Sequence, residues 1–369
     1  MSRASGSGSI WWPTPVRPCS WFSDAELARS RAYHRPLAKV GVAKLSGRFV
    51  LLVFSHVLVV FLGWPIAGPA AVAAVALAFW IPDASSDWWF EFRHEPRFGS
   101  SAMPLHRFAT GSLTALAFCL ATVGLVALLL PVAWAVSARW WWLLAASAVP
   151  IIVYVGGWLE PRFTAAAHRT SPLDGATFDS LARRAGVSHV EFHRMESDAL
   201  VGLNALTATG GGRPRIVVSS ELLEAERTLT NHVIAHELSH LRRRHPARTK
   251  LLTASAGVGV AAAAGALASS SAADRIAGLI RTGSMEGGQL PTLGSLAVLL
   301  LVFGAAAEVP LAFVSRAQER QADAGALALV GPVPVPLLRR LHATDRALLD
   351  PGRFERMVLP HPPPAERLH

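Results

Sequence analysis

The sequence predicts an α+β domain combined with a multi-span transmembrane helical bundle of about six spans. Three observations carry this. Of 369 residues, 51% are hydrophobic and only 16% charged, against roughly 25% charged in an average soluble domain. The apolar residues gather into long uncharged runs, the pattern of membrane spans. Polar sequence between and after those runs mixes strand and helix signals.

Residues 1–45 form a basic N-terminal segment. It lacks the early apolar core of a signal peptide, and its Ser/Gly-rich start at 2–9 reads as disordered. The N-terminal bundle follows over 46–159. The stretch 49–82 contains no Asp, Glu, Lys or Arg. It is too long for one span and just long enough for two short ones. Pro65, Gly68 and Pro69 break it, which places spans near 46–64 and 67–82. The runs 108–138 and 140–159 supply two more, the last headed by Trp140, Trp141 and Trp142 at the expected interface. The connection 83–107 reads as a short loop. Two later runs, 251–273 and 287–307, complete the set. The first is rich in Ala, Gly and Ser and needs close helix neighbours in lipid; a buried or interfacial helix is its alternative.

Charge sets the orientation. Residues 1–48 carry eight Lys or Arg and two acids, so this end is expected in the cytoplasm. An even number of spans then returns 160–250 and 315–369 to the same side of the cell membrane. The argument depends on parity: were 49–82 a single span, the polar block would lie outside. The net charge of +10 accompanies no zinc-finger spacing, RNP-like motif or base-reading helix, so no nucleic-acid partner is expected. Contact with the lipid bilayer accounts for it better. Cys19 and Cys119 make neither a disulfide framework nor a CxxC site and read as free thiols.

Within 160–250, Ser171-Pro172-Leu173-Asp174 reads as a helix start, with the helix running to Ala185. Strands are expected over 187–195, 199–207 and 215–219, the last two joined by Gly210-Gly211-Gly212. A long helix from about Ser220 or Thr230 carries His236-Glu237-Leu238-Ser239-His240. Its two histidines, four apart, share one helix face one turn apart and can hold one zinc ion. Glu237 beside them is placed to take a proton from a metal-bound water and pass it to a leaving amine. A solvated helix with two histidines is the alternative. However, Val233, Ile234, Ala235, Leu238 and Leu241 make this helix apolar, and a polar cluster there is costly without a use.

Glu319 is the candidate third ligand, and Asp323, one turn on, could hold a ligand histidine by its other nitrogen. A surface helix with an Arg316–Glu319 pair is the competing account. His232 reads as structural rather than as a ligand. Glu308, at the end of an apolar run, is either an intramembrane functional acid or an interfacial one. Arg242, Arg243, Arg244 and His245 read as a solvated basic turn near headgroups.

Several motifs in order resemble the M48 family of membrane zinc peptidases, with its HtpX-type and CAAX-prenyl-type members. They are Leu203-Asn204-Ala205, Ile216-Val217-Val218 with Glu221-Leu222-Leu223, the helix from Ile234 to His240, Glu319 with Ala322-Asp323, and His361-Pro362-Pro363-Pro364-Ala365-Glu366-Arg367-Leu368. The likeness covers roughly 165–368. It implies a zincin-like metalloprotease domain split into 160–250 and 315–369 by two apolar helices over 251–314. It also implies one Zn2+ per chain on His236, His240 and Glu319, with Glu237 as general base. Asn204 and Ala205 would lie at the cleft, on a strand that pairs with an extended protein or peptide substrate. His361 and Arg367 would steady the oxyanion; a Pro-rich tail packed on the domain is the alternative for both. The chain departs from the family at Ser239, where glycine is common, and in having four expected apolar spans ahead of the domain where the HtpX type has two. An endopeptidase for membrane or unfolded proteins, a signal-transducing protease with one regulatory substrate, and a catalytically silent scaffold all remain open at this stage.

Overall fold

A computed structural model describes residues 21–61, 68–99, 103–136, scattered positions between 142 and 155, then 170–174, 176–195, 203–208, 213–268, 293–344 and 347–367. The segment 2–9, Cys19, Gly210-Gly211-Gly212 and most of the expected span at 140–159 lie outside them.

Helix α1 (Asp24–Phe61) opens on a reciprocal cap. The Glu26 amide donates to the Ser23 hydroxyl at 3.3 Å, and the Ser23 amide donates to the Glu26 carboxylate at 2.7 Å, which satisfies donors that a helix start otherwise leaves open. The basic segment from residue 24 is thus helical and runs unbroken into the apolar stretch expected to span at 46–64. Helix α2 (Pro69–Trp89) starts with proline where no amide is needed. It continues through a π turn (Phe90–His94) and a 3-10 turn (Glu95–Phe98), ending at Gly99 with φ 87°. The loop expected over 83–107 is therefore largely helix. The two helices form an antiparallel hairpin: Lys44 lies 3.1 Å from Asp83, which also receives Arg48, and the Tyr33 hydroxyl donates to Glu95. Helix α3 (Leu105–Val136) packs on α2, with the Trp80 indole donating to the Ser112 carbonyl at 2.8 Å. The bundle core is built on small residues, among them Ala71, Ala78, Ala127 and Ala264, beside Leu52, Val75 and Leu296. Small side chains let helix backbones approach closely.

Strands β1 (Thr170–Pro172), β2 (Glu191–Met195), β3 (Ala205–Ala208) and β4 (Arg215–Ser219) form one sheet in the order β1-β2-β4-β3. The β2–β4 pair is parallel and the outer pairs are antiparallel. Ser171 and Pro172 thus belong to a strand, a correction to the expected helix start. Pro172 sits on the edge strand, where a missing N–H costs least. Helix α4 (Ala176–Arg184) follows. The strand expected over 187–195 is shorter because His189 adopts φ 62°. After the short helix α5 (Ser220–Leu223) comes α6 (Arg227–Arg242). Phe178 and Leu181 of α4, Phe192, Ile216 and Val218 of the sheet, and Leu229, Ile234 and Leu238 of α6 make the domain core.

Helix α7 (His245–Ala268) leaves α6 after a sharp corner. The long α8 (Leu293–Val330) is apolar at its start and returns along α6. Helices α9 (Val335–Thr344), α10 (Arg353–Val358) and α11 (Pro364–Arg367) complete the chain. Among the described residues four helical stretches are long and apolar enough to cross a membrane: Pro69–Phe98, Leu105–Leu129, His245–Leu267 and Leu296–Val330.

Candidate metal centre and active site

Helix α6 buries Leu229, Ile234, Ala235 and Leu238 against the sheet. Its next edge, carrying His236 and His240, faces α8. The two helices approach closely because residue 325 is glycine: a Cβ there would stand 2.4 Å from the Ser239 Oγ. The departure at Ser239 is thus matched by a gap on the facing helix, and the Ser239 hydroxyl donates to the Ala235 carbonyl at 2.8 Å.

The approach brings three donor atoms together. The Nε2 atoms of His236 and His240 are 3.0 Å apart. Glu319 of α8 places Oε2 at 3.4 Å from His236 Nε2 and Oε1 at 3.4 Å from His240 Nε2. A tetrahedral ion with bonds of about 2.0–2.1 Å separates its ligands by about 3.3–3.4 Å. The spacings are near those zinc requires, with a different Glu319 oxygen facing each histidine, and the two-nitrogen, one-carboxylate donor set suits zinc. All three residues are wholly or largely buried, which a carboxylate and two imidazoles tolerate only when paired or ligating.

Supporting groups surround this triangle. Asp323 Oδ1 lies 2.9 Å from His236 Nδ1, close but off the N–H direction. Asp323 is itself held by Arg367, whose guanidinium donates to its two oxygens at 2.9 and 2.6 Å. Two Arg367 nitrogens are thus engaged with Asp323 rather than turned to an oxyanion. His361 Nδ1 is 3.1 Å from Glu319 Oε2 while most of its side chain stays exposed, and Pro362, Pro363 and Pro364 after it are buried. Arg316 is buried, stacks on Phe313 and donates to the carbonyls of Met357 and Leu359. It therefore holds the segment leading to His361 rather than making the surface pair with Glu319. Glu237 accepts a hydrogen bond from the Thr207 hydroxyl of β3 at 2.6 Å.

A cavity of about 860 Å³ opens over the triangle. Asn204, Ala205, His236, Glu237, Glu319 and His361 line one part of it; Leu327, Val333, Val335, Leu338 and Leu341 line another. Each expected site residue lines this cavity except His240, which adjoins the lining residues His236 and Glu319. Burial pushes the Glu237 carboxyl up, against the opposing pull of His236 and Thr207. Burial opposes charge on His236, but its contacts with Asp323 and Glu319 prevail and raise it to about 9. Burial and the neighbouring His236 lower His240 to about 4. His232 and His342, also on the wall, are lowered to about 4 and about 3, chiefly by burial.

Sequence reasoning missed several residues here. His34 comes to the wall from α1, and His342 from α9; nothing in their local sequence marks them. Thr207 lay inside an expected strand without a role. His245 is a correction: Arg242, Arg243 and Arg244 are exposed as expected of a solvated turn, but His245 is fully buried. Arg244 adopts φ 56°, and the corner it makes folds His245 back beneath His240, with Nδ1 atoms 3.0 Å apart. A spacing of five after His240 was the available signal. Glu308 lies on the same continuous helix as Glu319 but is exposed and outside the cavity lining.

No curated protein sequence matches the chain. Among solved structures, the crystal structure of Ste24p from S. mikatae superposes with a TM-score of 0.68 at 16% identity, covering 94% of this chain and 88% of that one. That likeness is one of fold, and it extends over the helical bundle as well as the domain. Residues 175–369, just over half the chain, match the model of peptidase family M48. The chain belongs to peptidase family M48, with an Ste24p-like fold and helices that point to a multi-pass membrane protein.

Proposed function

We propose that the protein is a membrane-embedded zinc endopeptidase that hydrolyses peptide bonds of membrane or unfolded proteins. The observation that carries this is the donor triangle of His236, His240 and Glu319 at the base of a cavity, with the Glu237 carboxyl beside it. Bound there, zinc would supply a Lewis acid for the scissile carbonyl and a more acidic water. Glu237 takes the water's proton and delivers it to the departing amine. Burial, which raises its affinity for a proton, suits it to hold one between the two steps. The Thr207 hydroxyl engages one carboxyl oxygen, Oε2, and leaves the other for the proton.

Strand β3 ends the sheet, with only β4 beside it among the described residues. Ala205 on this edge offers its backbone groups to an extended peptide, while Asn204, whose amide and carbonyl are both engaged by Ser219, meets the substrate through its side chain. His361, exposed beside the triangle, is positioned to steady the oxyanion. Arg367 acts through Asp323, orienting His236. Six spans and a cytoplasmic protease domain accord with the basic N-terminal segment.

The test is cleavage of an unfolded reporter by the detergent-purified chain beside Glu237→Ala, with zinc measured in both. Glu237 is no ligand, so the variant keeps zinc and loses at least about 100-fold in kcat. A chain that binds no zinc, or a variant as active as wild type, sinks the proposal.

A further inference from the structure

His245 is a fully buried imidazole for which the reaction above has no use. Its Nδ1 lies 3.0 Å from His240 Nδ1, and its Nε2 lies 3.2 Å from the Gln321 side-chain oxygen. Gln321 stands two residues after Glu319 on α8, so one chain of contacts joins three elements: the first-ligand helix α6, the start of α7 and the third-ligand helix α8. The rings of His240 and His245 meet edge to face at 5.0 Å between centroids.

The protons in this chain can be assigned by chemistry. His240 turns Nε2 toward His236 and Glu319, so Nε2 must keep its lone pair to bind a cation and the ring proton must sit on Nδ1. That N–H needs an acceptor, and the atom facing it is His245 Nδ1. A neutral imidazole that accepts at Nδ1 carries its own proton on Nε2. The Gln321 oxygen faces that N–H and can only accept. Each member therefore forces the tautomer of the next. The reverse arrangement would put a proton on His240 Nε2, where the metal must bind.

We propose that His245, locked by Gln321, is a positioning residue that holds His240 in its metal-binding tautomer and ring orientation. The proposal rests on the reading of His236, His240 and Glu319 as a zinc site. His240 thus has a neutral acceptor at Nδ1, where His236 has the Asp323 carboxylate nearby but off the N–H direction. Because His245 is also the first residue of α7, a helix long and apolar enough to cross a membrane, the grip on His240 is tied to the seating of that helix.

The test compares His245→Leu with His245→Asn in the full chain, reading zinc affinity by competition with a chelator. The two replacements have the same shape. Asn places an amide oxygen where His245 carries Nδ1, and Leu places a methyl group there. Loss of such an outer hydrogen-bond partner weakens metal binding about 10–100-fold; that loss is expected of the leucine variant, with the asparagine variant recovering most of it. Equal affinities in the two variants, whether both weak or both at the wild-type level, overturn the proposal, since packing alone would then account for the residue. Should the leucine variant not fold, Gln321→Leu at an exposed position decides. Zinc held several-fold more weakly supports the chain, and unchanged affinity overturns it. A wild-type chain that binds no zinc removes the metal reading itself. A wild type that binds zinc beside equal variants removes only this inference.

Discussion

At the scale of single residues, the site is a set of polar groups made tolerable by one another. Glu237 is buried and would resist ionising, yet the Thr207 hydroxyl favours its carboxylate. Thr207→Val removes that bond and raises the Glu237 pKa further. Hydrogen bonds to charged groups contribute about 1.5–3 kcal/mol, so kcat should fall roughly tenfold or more, and the acid limb of the pH–rate profile should move to higher pH. An unmoved limb would show that Thr207 does not set the base. His232 and His342 give a second, independent pH effect. Their folded values of about 4 and about 3 lie below the ordinary 6.5. The unfolded chain therefore binds more protons between those limits, and stability present above pH 6.5 is lost as pH falls toward 4. Thermal unfolding in detergent should show Tm falling from pH 7.5 to pH 5, and falling less in His342→Phe. A flat Tm over that range would contradict the burial of both rings.

At the scale of elements, the site depends on how closely α6 and α8 approach. The contact is a small-residue pair, Ser239 against Gly325. In an isolated helix Gly→Ala is favourable by about 1 kcal/mol. Here the added Cβ meets a side chain at less than van der Waals distance, and overpacking costs about 1–3 kcal/mol. Gly325→Ala should lower both Tm and zinc affinity, because it separates Glu319 from the two histidines. Adding Ser239→Gly should restore both, and a double-mutant cycle reads the coupling directly. Additive effects would mean that the two positions do not limit the approach. The docking of α1 on α9 follows a different logic. Glu26–Arg339 and Arg31–Asp350 are partly exposed ion pairs, worth about 0–1 kcal/mol each. The buried Phe22, Leu27 and Leu349 carry that contact.

At the scale of the whole molecule, the parity argument bears on the α1–α2 hairpin. The polar half of α1, the end of α2 and the α9–α11 region lie at one end. Tyr33 reaches Glu95, the Ser30 hydroxyl donates to the Ala347 carbonyl at 3.0 Å, and His34 lines the cavity that Glu237 and Glu319 also line. The chain therefore runs down α1 and back up α2. Single cysteines at the exposed positions Asp24 and Arg243, in a chain with Cys19 and Cys119 replaced by serine, should label from the same side of the membrane. Under the proposed orientation, a membrane-impermeant reagent reaches both only after cells are opened. Labelling from opposite faces would contradict the hairpin; labelling of both in intact cells would reverse the orientation alone.

The sequence by itself marked out the candidate ligands His236, His240 and Glu319, the neighbouring Glu237 and the family motifs, because each is a local spacing. His236 and His240 share a helix face through a four-residue interval, and Glu319 with Asp323 repeats that interval on a second helix. The β4 strand was legible for the same reason, as a short apolar run between turns. What lacked a local signature went unread or was misread. Ser171-Pro172 has the composition of a helix start, but the partner strand β2 recruits it as a sheet edge. The stretch 83–98 carries four acids and looked like a loop, yet two of them, Asp83 and Glu95, take three contacts from Lys44, Arg48 and Tyr33 on α1. His245 looked like the end of a basic turn, and only the left-handed corner at Arg244 turns it inward. Tertiary structure alone decided these points, because a polar side chain's role depends on which distant group faces it, and that is fixed by helix packing rather than by neighbours in the chain.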